Sequence, residues 1–380
     1  MIIKNAKVYA KDQTFAEGDI HIENGVFCTQ TQEGGIVDAK GCYAIPGLID
    51  LHFHGCAGHD ICDGTPQALS NIAEHEAANG ITSICPATMT LPYEELLQIL
   101  RNAADWQKSR QEAAGSKGAD LLGINMEGPF ISAAKKGAQD PQHIVSCDLK
   151  TAQDFLDASH GLVKFIGIAP EQNPDFTTFI SQLKDRVHIS LAHTNADYDT
   201  ALAAFRAGAD HAVHLYNAMP PFTHREPGVI GAVADSQHVH AELICDGIHI
   251  HPSVVRATFR MLGADRIVLI SDSMRAAGMP DGSYTLGGLD VNVKDRKVTL
   301  ASNGALAGSA SNLMECMRTL VTQMGIPLET AVGCASVNPA KVLGVFEERG
   351  SIEAGKVADV VLLDESLQVQ AVVKDGVQIL

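Results

Sequence analysis

Residues 47–345 alternate between short apolar strand patterns and helix patterns, and this alternation limits the folds open to the chain more than any other feature. Eight apolar or β-branched runs of strand length occur here: 48–53, 81–85, 121–126, 163–168, 187–192, 210–214, 240–245 and 267–271. Helical patterns separate most of them, for example 66–79, 92–112, 175–184, 196–207 and 252–262. Eight strands with crossover helices predict an α/β chain with a (β/α)8 TIM-like barrel, whose usual length is about 250 residues. A doubly wound sheet is the alternative, but no G-x-G-x-x-G turn follows an early strand.

The two ends of the chain contain short strand patterns without helices. Asn24-Gly25 and Asp375-Gly376 lie between such runs and predict tight hairpin turns. We therefore expect the ends to pair into one small β-sandwich domain, residues 1–46 with 346–380, beside a barrel catalytic domain at 47–345. Three further β runs, 283–287, 289–293 and 297–300, predict a small hairpin inserted after the eighth strand.

Polar side chains follow most of the predicted strands at the point where each strand ends. These are His52 and His54, Glu127, His193, His214, Asp246 with His249, and Asp272. In a barrel of this kind the carboxyl ends of the strands form one face, and chemistry is placed there. We therefore expect these side chains to face one common mouth.

The residue types at these ends are those of a metal-dependent hydrolase. His52 and His54 are two apart in a strand, so they share a face with Cα atoms about 7 Å apart. Alone they are equally well explained as surface histidines, and a single Glu127 as a solvated strand end. Together, imidazole and carboxylate groups facing one mouth indicate a divalent ion, Zn²⁺ or a similar metal, with a position open for water. Asp272 is the candidate general base, which predicts hydrolysis of an amide or an ester.

Composition narrows the class of partner. The chain carries 28 Lys and Arg against 45 Asp and Glu, a net charge of −17, which argues against nucleic acid and anionic membrane surfaces. An anionic ligand would need local positive charge. Arg225 is a candidate anion clamp, although a surface pair with Glu226 explains it equally well. Nine scattered cysteines, no C-x-x-C pair, no signal segment and no long apolar run predict a cytoplasmic protein.

The motifs at the strand ends resemble the amidohydrolase superfamily and, within it, deacetylases of N-acetyl amino sugar phosphates. They are Pro46-Gly47-Leu48-Ile49-Asp50-Leu51-His52-Phe53-His54-Gly55, Met126-Glu127-Gly128-Pro129-Phe130, Ala192-His193-Thr194, His214-Leu215-Tyr216-Asn217-Ala218-Met219, Asp246-Gly247-Ile248-His249 and Ser271-Asp272. The first motif is generic to the superfamily, whereas the second and fourth are specific to the deacetylases.

The resemblance implies a role for each matched residue. Glu127, His193 and His214 would hold the principal metal, and Asp272 would act as base and then as acid. The residues that would contact the sugar phosphate are Asn217, the backbone at Ala218, Arg225 and His249. The implied reaction converts N-acetyl-D-glucosamine 6-phosphate to D-glucosamine 6-phosphate and acetate. A homodimer is the implied assembly, with a phosphate contact from the neighbouring subunit.

The chain departs from part of this pattern at two places. Some members lack the first histidines and hold one metal, whereas His52 and His54 are both present here. They predict a second metal site, with Glu127 as a candidate bridge. Gln139 stands where certain members carry a sugar-contacting histidine, and a glutamine can donate a hydrogen bond but cannot titrate. Zn²⁺ is the expected metal and Fe²⁺ the alternative.

Two other functions stay open at this point. The first is the same chemistry on N-acetyl-D-galactosamine 6-phosphate or another N-acyl amino sugar, since epimers differ by one hydroxyl. The second is a non-catalytic scaffold with an amidohydrolase-like barrel. Such a scaffold would be expected to have lost ligands or Asp272, and every expected position is filled.

Overall fold

The computed structural model describes residues 1–31, 34–112 and 117–380. Its strands are β1 (Ile2–Tyr9), β2 (Phe15–Glu23), β3 (Val26–Cys28), β4 (Ile36–Asp38), β5 (Tyr43–Pro46), β6 (Leu48–Asp50), β7 (Gly55–Cys56), β8 (His59–Asp60), β9 (Ile81–Ile84), β10 (Ala87–Thr88), β11 (Asp120–Leu121), β12 (Ile124–Phe130), β13 (Val163–Ile168), β14 (His188–Leu191), β15 (His211–Ala212), β16 (His240–Ile244), β17 (Ile267–Ile270), β18 (Gly282–Leu286), β19 (Leu289–Lys294), β20 (Lys297–Leu300), β21 (Val360–Leu363), β22 (Val369–Lys374) and β23 (Val377–Gln378).

The helices lie mostly between the strands of the middle region. They are α1 (Pro66–Ala78), α2 (Tyr93–Glu112), α3 (Leu149–Ala158), α4 (Phe176–Leu183), α5 (Tyr198–Ala207), α6 (Gly228–Asp235), α7 (Pro252–Leu262), α8 (Leu313–Thr322), α9 (Leu328–Val332) and α10 (Asn338–Val342), with a π-helical segment at Gly333–Val337. Their starts follow ordinary capping chemistry. Thr65 accepts a hydrogen bond from the Ala68 N–H ahead of Pro66, and Asp197 does the same for Thr200. None of the described helices combines the length and the apolar character that a membrane span requires.

The middle strands form two parallel sheets in sequential order. One sheet runs β10-β12-β13-β14-β15-β16-β17 and the other runs β11-β9-β6. The order contains no reversal, which is the pattern of a barrel and not of a doubly wound sheet. Where β17 ends beside β6, the Ser271 hydroxyl donates to Asp50 at 2.6 Å and the Asp272 N–H donates to the His52 carbonyl at 2.9 Å. The carboxyl ends of the first and last strands are therefore tied together.

The two chain ends meet in one eight-stranded sheet, ordered β23-β22-β21-β5-β1-β2-β3 with β4 on β1. The junction is the antiparallel pair of β21 and β5. Both predicted hairpin turns are present, because Asn24 (φ 50°) and Gly25 (φ 80°), like Asp375 (φ 51°) and Gly376 (φ 75°), adopt left-handed conformations. The pairing of the ends is thus confirmed. A two-layer sandwich is not established by these pairings and stays a prediction.

The insertion after β17 is a three-stranded antiparallel sheet, β18-β19-β20. It has a small apolar core of its own, formed by Leu286, Val291 and Val298 with Met89 and Met274 from the barrel. Because these two methionines belong to the barrel, the insertion is packed onto it and covers part of its mouth.

Candidate metal centre and active site

A cavity of about 320 Å³ opens where the middle strands end. The polar side chains in its lining come from several strand ends and loops: His54, Glu127, Lys135, Gln139, His193, His214, Asn217, His249 and Asp272. Ala218 contributes to the same lining, and Leu286 brings the inserted sheet to the rim. Of the strand-end residues expected to face one mouth, His54, Glu127, His193, His214, His249 and Asp272 line this cavity, whereas His52 and Asp246 do not.

Four of these residues adopt strained backbone conformations. His193 (φ 44°), His214 (φ 28°), Ala218 (φ 53°) and Asp272 (φ 49°) all lie in the left-handed region. A residue with a Cβ held there costs on the order of 1–3 kcal/mol, and such residues cluster at functional sites. His193, His214 and Asp272 closely follow the ends of β14, β15 and β17, so each of these chain segments bends sharply as it reaches the cavity.

Glu127 is the centre of the site. The pairing of β12 with β13 shifts between Met126 and Phe130, and this irregularity lies at Glu127. Its Oε1 atom lies 2.9 Å from Nε2 of both His193 and His214. Its Oε2 atom lies 3.5 Å from Nε2 of His54, and Oε1 lies 3.5 Å from Nε2 of His52. One carboxylate thus faces all four imidazoles.

The outer nitrogen of each imidazole is held by an acceptor. Nδ1 of His193 donates to the Lys135 carbonyl (2.8 Å), and Nδ1 of His214 donates to the Asn217 carbonyl (3.1 Å). Nδ1 of His54 donates to the Ala87 carbonyl (3.0 Å), and Nδ1 of His52 donates to the Glu242 carboxylate (2.9 Å). A carbonyl or carboxylate oxygen can only accept, so each neutral ring carries its proton on Nδ1 and presents a lone pair at Nε2.

This arrangement of lone pairs is what a cation requires. Nε2 of His193 and Nε2 of His214 lie 3.2 Å apart with the same carboxylate oxygen between them. Nε2 of His52 is buried and has no hydrogen-bond partner among the described residues. Neutral imidazoles fixed through Nδ1 and aimed at a carboxylate are the usual ligand geometry of divalent metal sites. The residues present therefore fit a divalent metal.

The candidate ligands form two groups. Glu127, His193 and His214 make one, and His52, His54 and Asp272 make the other. All six residues are buried. Glu127 also lies within 3.5 Å of both histidines of the second group, which is the position a bridging carboxylate would occupy.

Two carboxylates of the centre are strongly biased toward the ionised form. Burial alone would raise the pKa of Glu127, but the imidazoles of His193, His214 and His52 hold it well below its usual range. Burial likewise opposes ionisation of Asp272, yet the neighbouring imidazoles of His54, His52 and His214 lower its pKa. Asp272 Oδ1 lies 3.4 Å from Nε2 of His54 and faces the cavity.

The residues predicted to bind substrate fall into three situations. Asn217, Ala218 and His249 line the cavity. The His249 ring donates to Asp246 at 2.8 Å; burial opposes protonation, but Asp246 raises the pKa of His249. Arg225 is exposed and does not line the cavity of this chain.

Gln139 forms the third case, because both ends of its side-chain amide already make hydrogen bonds within the protein. Its Nε2 donates to Glu127 Oε2 at 2.5 Å, and its Oε1 accepts from the Thr90 N–H at 2.6 Å. The side chain lines the cavity but is held by protein on both ends, so it orients the carboxylate at the centre of the site.

Sequence reasoning missed Glu242, the partner of His52. This residue is fully buried in β16, and it accepts from His52 at 2.9 Å, from His211 at 2.9 Å and from the His214 N–H at 3.0 Å. The signal was available, because a charged residue in the middle of an apolar strand buried on both faces must point into the barrel and find partners. His211, which is buried in the core, is the second partner of Glu242.

Comparison with known proteins gives similarity over most of the chain. A family model described as the amidohydrolase family matches residues 43–379. The N-acetylglucosamine-6-phosphate deacetylase of Bacillus subtilis (strain 168) is 36% identical over 377 residues, 97% of this chain and 94% of that relative. The N-acetylgalactosamine-6-phosphate deacetylase of Escherichia coli O157:H7 is 37% identical over 327 residues, 86% of this chain and 85% of that relative.

A solved structure is also similar over the whole of this chain. An Asp-to-Ala variant of N-acetyl-D-glucosamine-6-phosphate deacetylase from Mycobacterium smegmatis, in complex with N-acetyl-D-glucosamine-6-phosphate, matches with a TM-score of 0.90 at 32% identity. The match covers 100% of this chain and 98% of the other.

Proposed function

The chain belongs to the amidohydrolase family, and we propose that it hydrolyses the N-acetyl amide of N-acetyl-D-glucosamine 6-phosphate to D-glucosamine 6-phosphate and acetate. The observation that carries this proposal is the meeting of two ligand groups, one of which includes Asp272, at one cavity. The similarity to deacetylases of this substrate from B. subtilis and M. smegmatis supports the choice of amide.

The ligand groups suit Zn²⁺ best, with Fe²⁺ as the alternative, because both accept imidazole and carboxylate ligands. Glu127, His193 and His214 would hold the principal ion, and His52 and His54 a second one that Glu127 bridges. A bound divalent ion supplies Lewis acidity, since it lowers the pKa of a water molecule and polarises a carbonyl group. Gln139 and Glu242 fix the orientation of Glu127 and His52.

Asp272 performs the proton transfers. Its lowered pKa keeps it ionised, so it can take a proton from the attacking water while the oxygen bonds to the acyl carbon. It then delivers that proton to the sugar nitrogen as the C–N bond breaks. The sugar leaves with a free amine, and the acetyl group leaves as acetic acid, which loses its remaining proton to solvent and becomes acetate. The hydrogen bond between the Asp272 N–H and the His52 carbonyl holds this side chain beside the metal ligands.

The sugar phosphate is recognised by groups at the rim. His249 is favoured in its protonated form by Asp246, and Asn217 and the backbone at Ala218 line the same wall. Arg225 lies outside the cavity of its own chain, so we propose that the enzyme is a homodimer in which Arg225 reaches the phosphate bound by the partner subunit.

N-Acetyl-D-galactosamine 6-phosphate is a second candidate substrate, because the E. coli relative named for that activity is 37% identical. The two sugars differ by one hydroxyl, and the metal centre and Asp272 would treat their amides alike. Steady-state rates on both 6-phosphates and on unphosphorylated N-acetylglucosamine separate these proposals. Faster turnover of the unphosphorylated sugar would contradict phosphate recognition, and no turnover by metal-loaded protein would favour a scaffold.

The role of Arg225 has its own test. Arg225→Ala should raise KM by about 10- to 100-fold, which corresponds to the roughly 1.5–3 kcal/mol of a hydrogen bond to a charged group, and change kcat less. Arg206→Ala, an exposed arginine on α5, is the matched control. Mixing Arg225→Ala chains with Asp272→Asn chains should restore activity, because one site of the mixed dimer then has both groups; no restoration would contradict the shared site.

The finer organisation of the chain is proposed with the same function. We infer that the two parallel sheets close into a complete (β/α)8 barrel at residues 47–345 and that residues 1–46 with 346–380 form a small β-sandwich domain. The hydrogen bonds from Ser271 and Asp272 to the first strand support closure. All nine cysteines are free, which supports action in the reducing cytoplasm.

A further inference from the structure

Helix α1 packs against β7, the short strand that follows His52 and His54 in the chain. Three side chains of types that can bind a metal meet at this contact. Cys56 lies on β7, and His75 and Glu76 lie on α1. One ligand atom from each of the three lies within 4.8 Å of the others. The group shares no residue with the two groups around Glu127.

Glu76 is the most unusual member. Its side chain is 1% exposed, and neither carboxylate oxygen has a hydrogen-bond partner within the described part of the chain. It also forms no ion pair with any described lysine, arginine or histidine. A buried carboxylate with no partner is costly, and native structures rarely leave one unexplained.

The other two members are also free to bind. Cys56 is fully buried; its thiol makes a long contact of 3.9 Å to the Ile72 carbonyl and also lies against the Glu76 carboxylate. His75 is half-buried, and its ring lies over Gly278, where a Cβ would come within 2.6 Å of its Cε1 atom. The glycine therefore leaves the space that the ring occupies.

We propose that Cys56, His75 and Glu76 bind a divalent ion of the Zn²⁺ type, separate from the catalytic centre. Thiolate, imidazole and carboxylate together are ligands for such borderline metals, and three of them leave one position of a tetrahedral shell for water. Bonds of about 2.0–2.3 Å place ligand atoms about 3.5 Å apart, so a group whose ligand atoms lie within 4.8 Å of one another needs to contract by at most about 1.3 Å on binding. His75, which is half-exposed, is the side chain with room to move.

An ion at this site would have a structural role. Cys56 lies two residues after His54, and α1 carries the other two ligands, so the ion would join the segment leaving the metal-centre strand to the first helix of the barrel. It would also supply the positive charge that Glu76 lacks.

Cobalt spectroscopy of the full chain tests the site without relying on activity. Thiolate-bound Co²⁺ has a charge-transfer absorption in the near ultraviolet, and the ligands around Glu127 include no thiol. Metal-stripped wild-type protein titrated with Co²⁺ should develop this band with one thiolate-bound ion per chain. Cys56→Ser should abolish it, while Cys334→Ser, a buried cysteine in the π-helical segment, should leave it unchanged.

Two further variants keep the test decisive if Cys56→Ser folds poorly. Glu76→Gln and His75→Gln should each shift the band to at least about tenfold higher Co²⁺ concentration. Glu127→Gln should not shift it. Absence of the band in wild-type protein, its persistence in Cys56→Ser, or no shift in either glutamine variant would overturn the proposal.

Discussion

Two clusters of buried and half-buried carboxylates in this protein obtain their positive charge in different ways. In the metal centre, Glu127 and Asp272 face four imidazoles and no lysine or arginine among the described residues. In the second cluster, which we call the lysine cluster, Asp120 and Asp359 surround Lys374, with Arg349 beside them. Lys374 is 1% exposed, and its Nζ lies 2.9 Å from Asp120 and 3.5 Å from Asp359.

The two clusters differ in the source of the positive charge that neutralises their carboxylates. The lysine cluster carries permanent cations in its own chain and joins the C-terminal sheet to the barrel, so it is complete without a ligand. The metal centre presents lone pairs to its carboxylates and needs a cation from solution. Clustered acids alone therefore do not identify a metal site, since Asp120, Asp359 and Asp375 also lie close enough to share an ion.

The largest expected effect comes from removing the proton carrier of the metal centre. Asp272→Asn keeps the shape of the side chain but cannot take a proton, so kcat should fall by at least about 10²- to 10⁴-fold. Metal content, measured by elemental analysis beside the kinetics, should stay unchanged. Loss of the metal in this variant would mean that Asp272 acts mainly as a ligand.

Removing the cation of the lysine cluster should affect stability and not chemistry. Lys374→Met leaves the buried Asp359 with only the Arg349 guanidinium, 3.9 Å away, so the free energy of unfolding should fall by about 3–5 kcal/mol. Denaturant unfolding measures this, and kcat at low temperature should match wild type. Lys150→Met is the control, because the Lys150–Asp154 pair is exposed and should contribute about 0–1 kcal/mol. Equal losses in the two variants would break the comparison.

A smaller effect is expected from changing a group that orients a metal ligand. Glu242→Gln weakens the carboxylate that fixes the His52 ring, so metal affinity at the second group should fall by about 10- to 100-fold. The metal concentration that restores the second bound ion measures this. His188→Gln, which removes a ring bonded to Asp210 away from the centre, is the matched control and should have no such effect.

The smallest effect concerns acid stability. Burial alone would raise the pKa of Asp120, but Lys374 and Arg349 hold it below its usual value. A group with a lowered folded pKa stabilises the protein above its unfolded pKa, and this contribution is lost as pH falls through the folded pKa. The unfolding free energies of wild type and Asp120→Asn should therefore differ at neutral pH, begin to converge as the pH falls below about 4, and coincide only below the lowered folded pKa of Asp120. A constant difference across that range would contradict the pairing.

The contrast between the two clusters also shows which residues of the site can be predicted from the sequence alone. The strand ends at His193, His214 and Asp272 were predictable, because the carboxyl ends of sequential parallel strands meet on one face. Glu242 and Lys374 were recognisable only as charged residues in apolar strands, since their partners come from distant segments of the chain. Gln139 faced Glu127 only because its loop folds back over β12. The sequence did not indicate that Arg225 lies outside the cavity of its own chain.

The most direct test of the metal centre is a parallel count of bound metal and deacetylation. Cys56→Ser protein removes the additional proposed site and is then stripped with a chelator and reloaded stepwise with Zn²⁺. We predict no deacetylation of N-acetyl-D-glucosamine 6-phosphate without metal, full activity on reloading, and two ions per chain at saturation. Undiminished deacetylation by the metal-free chain would contradict the account.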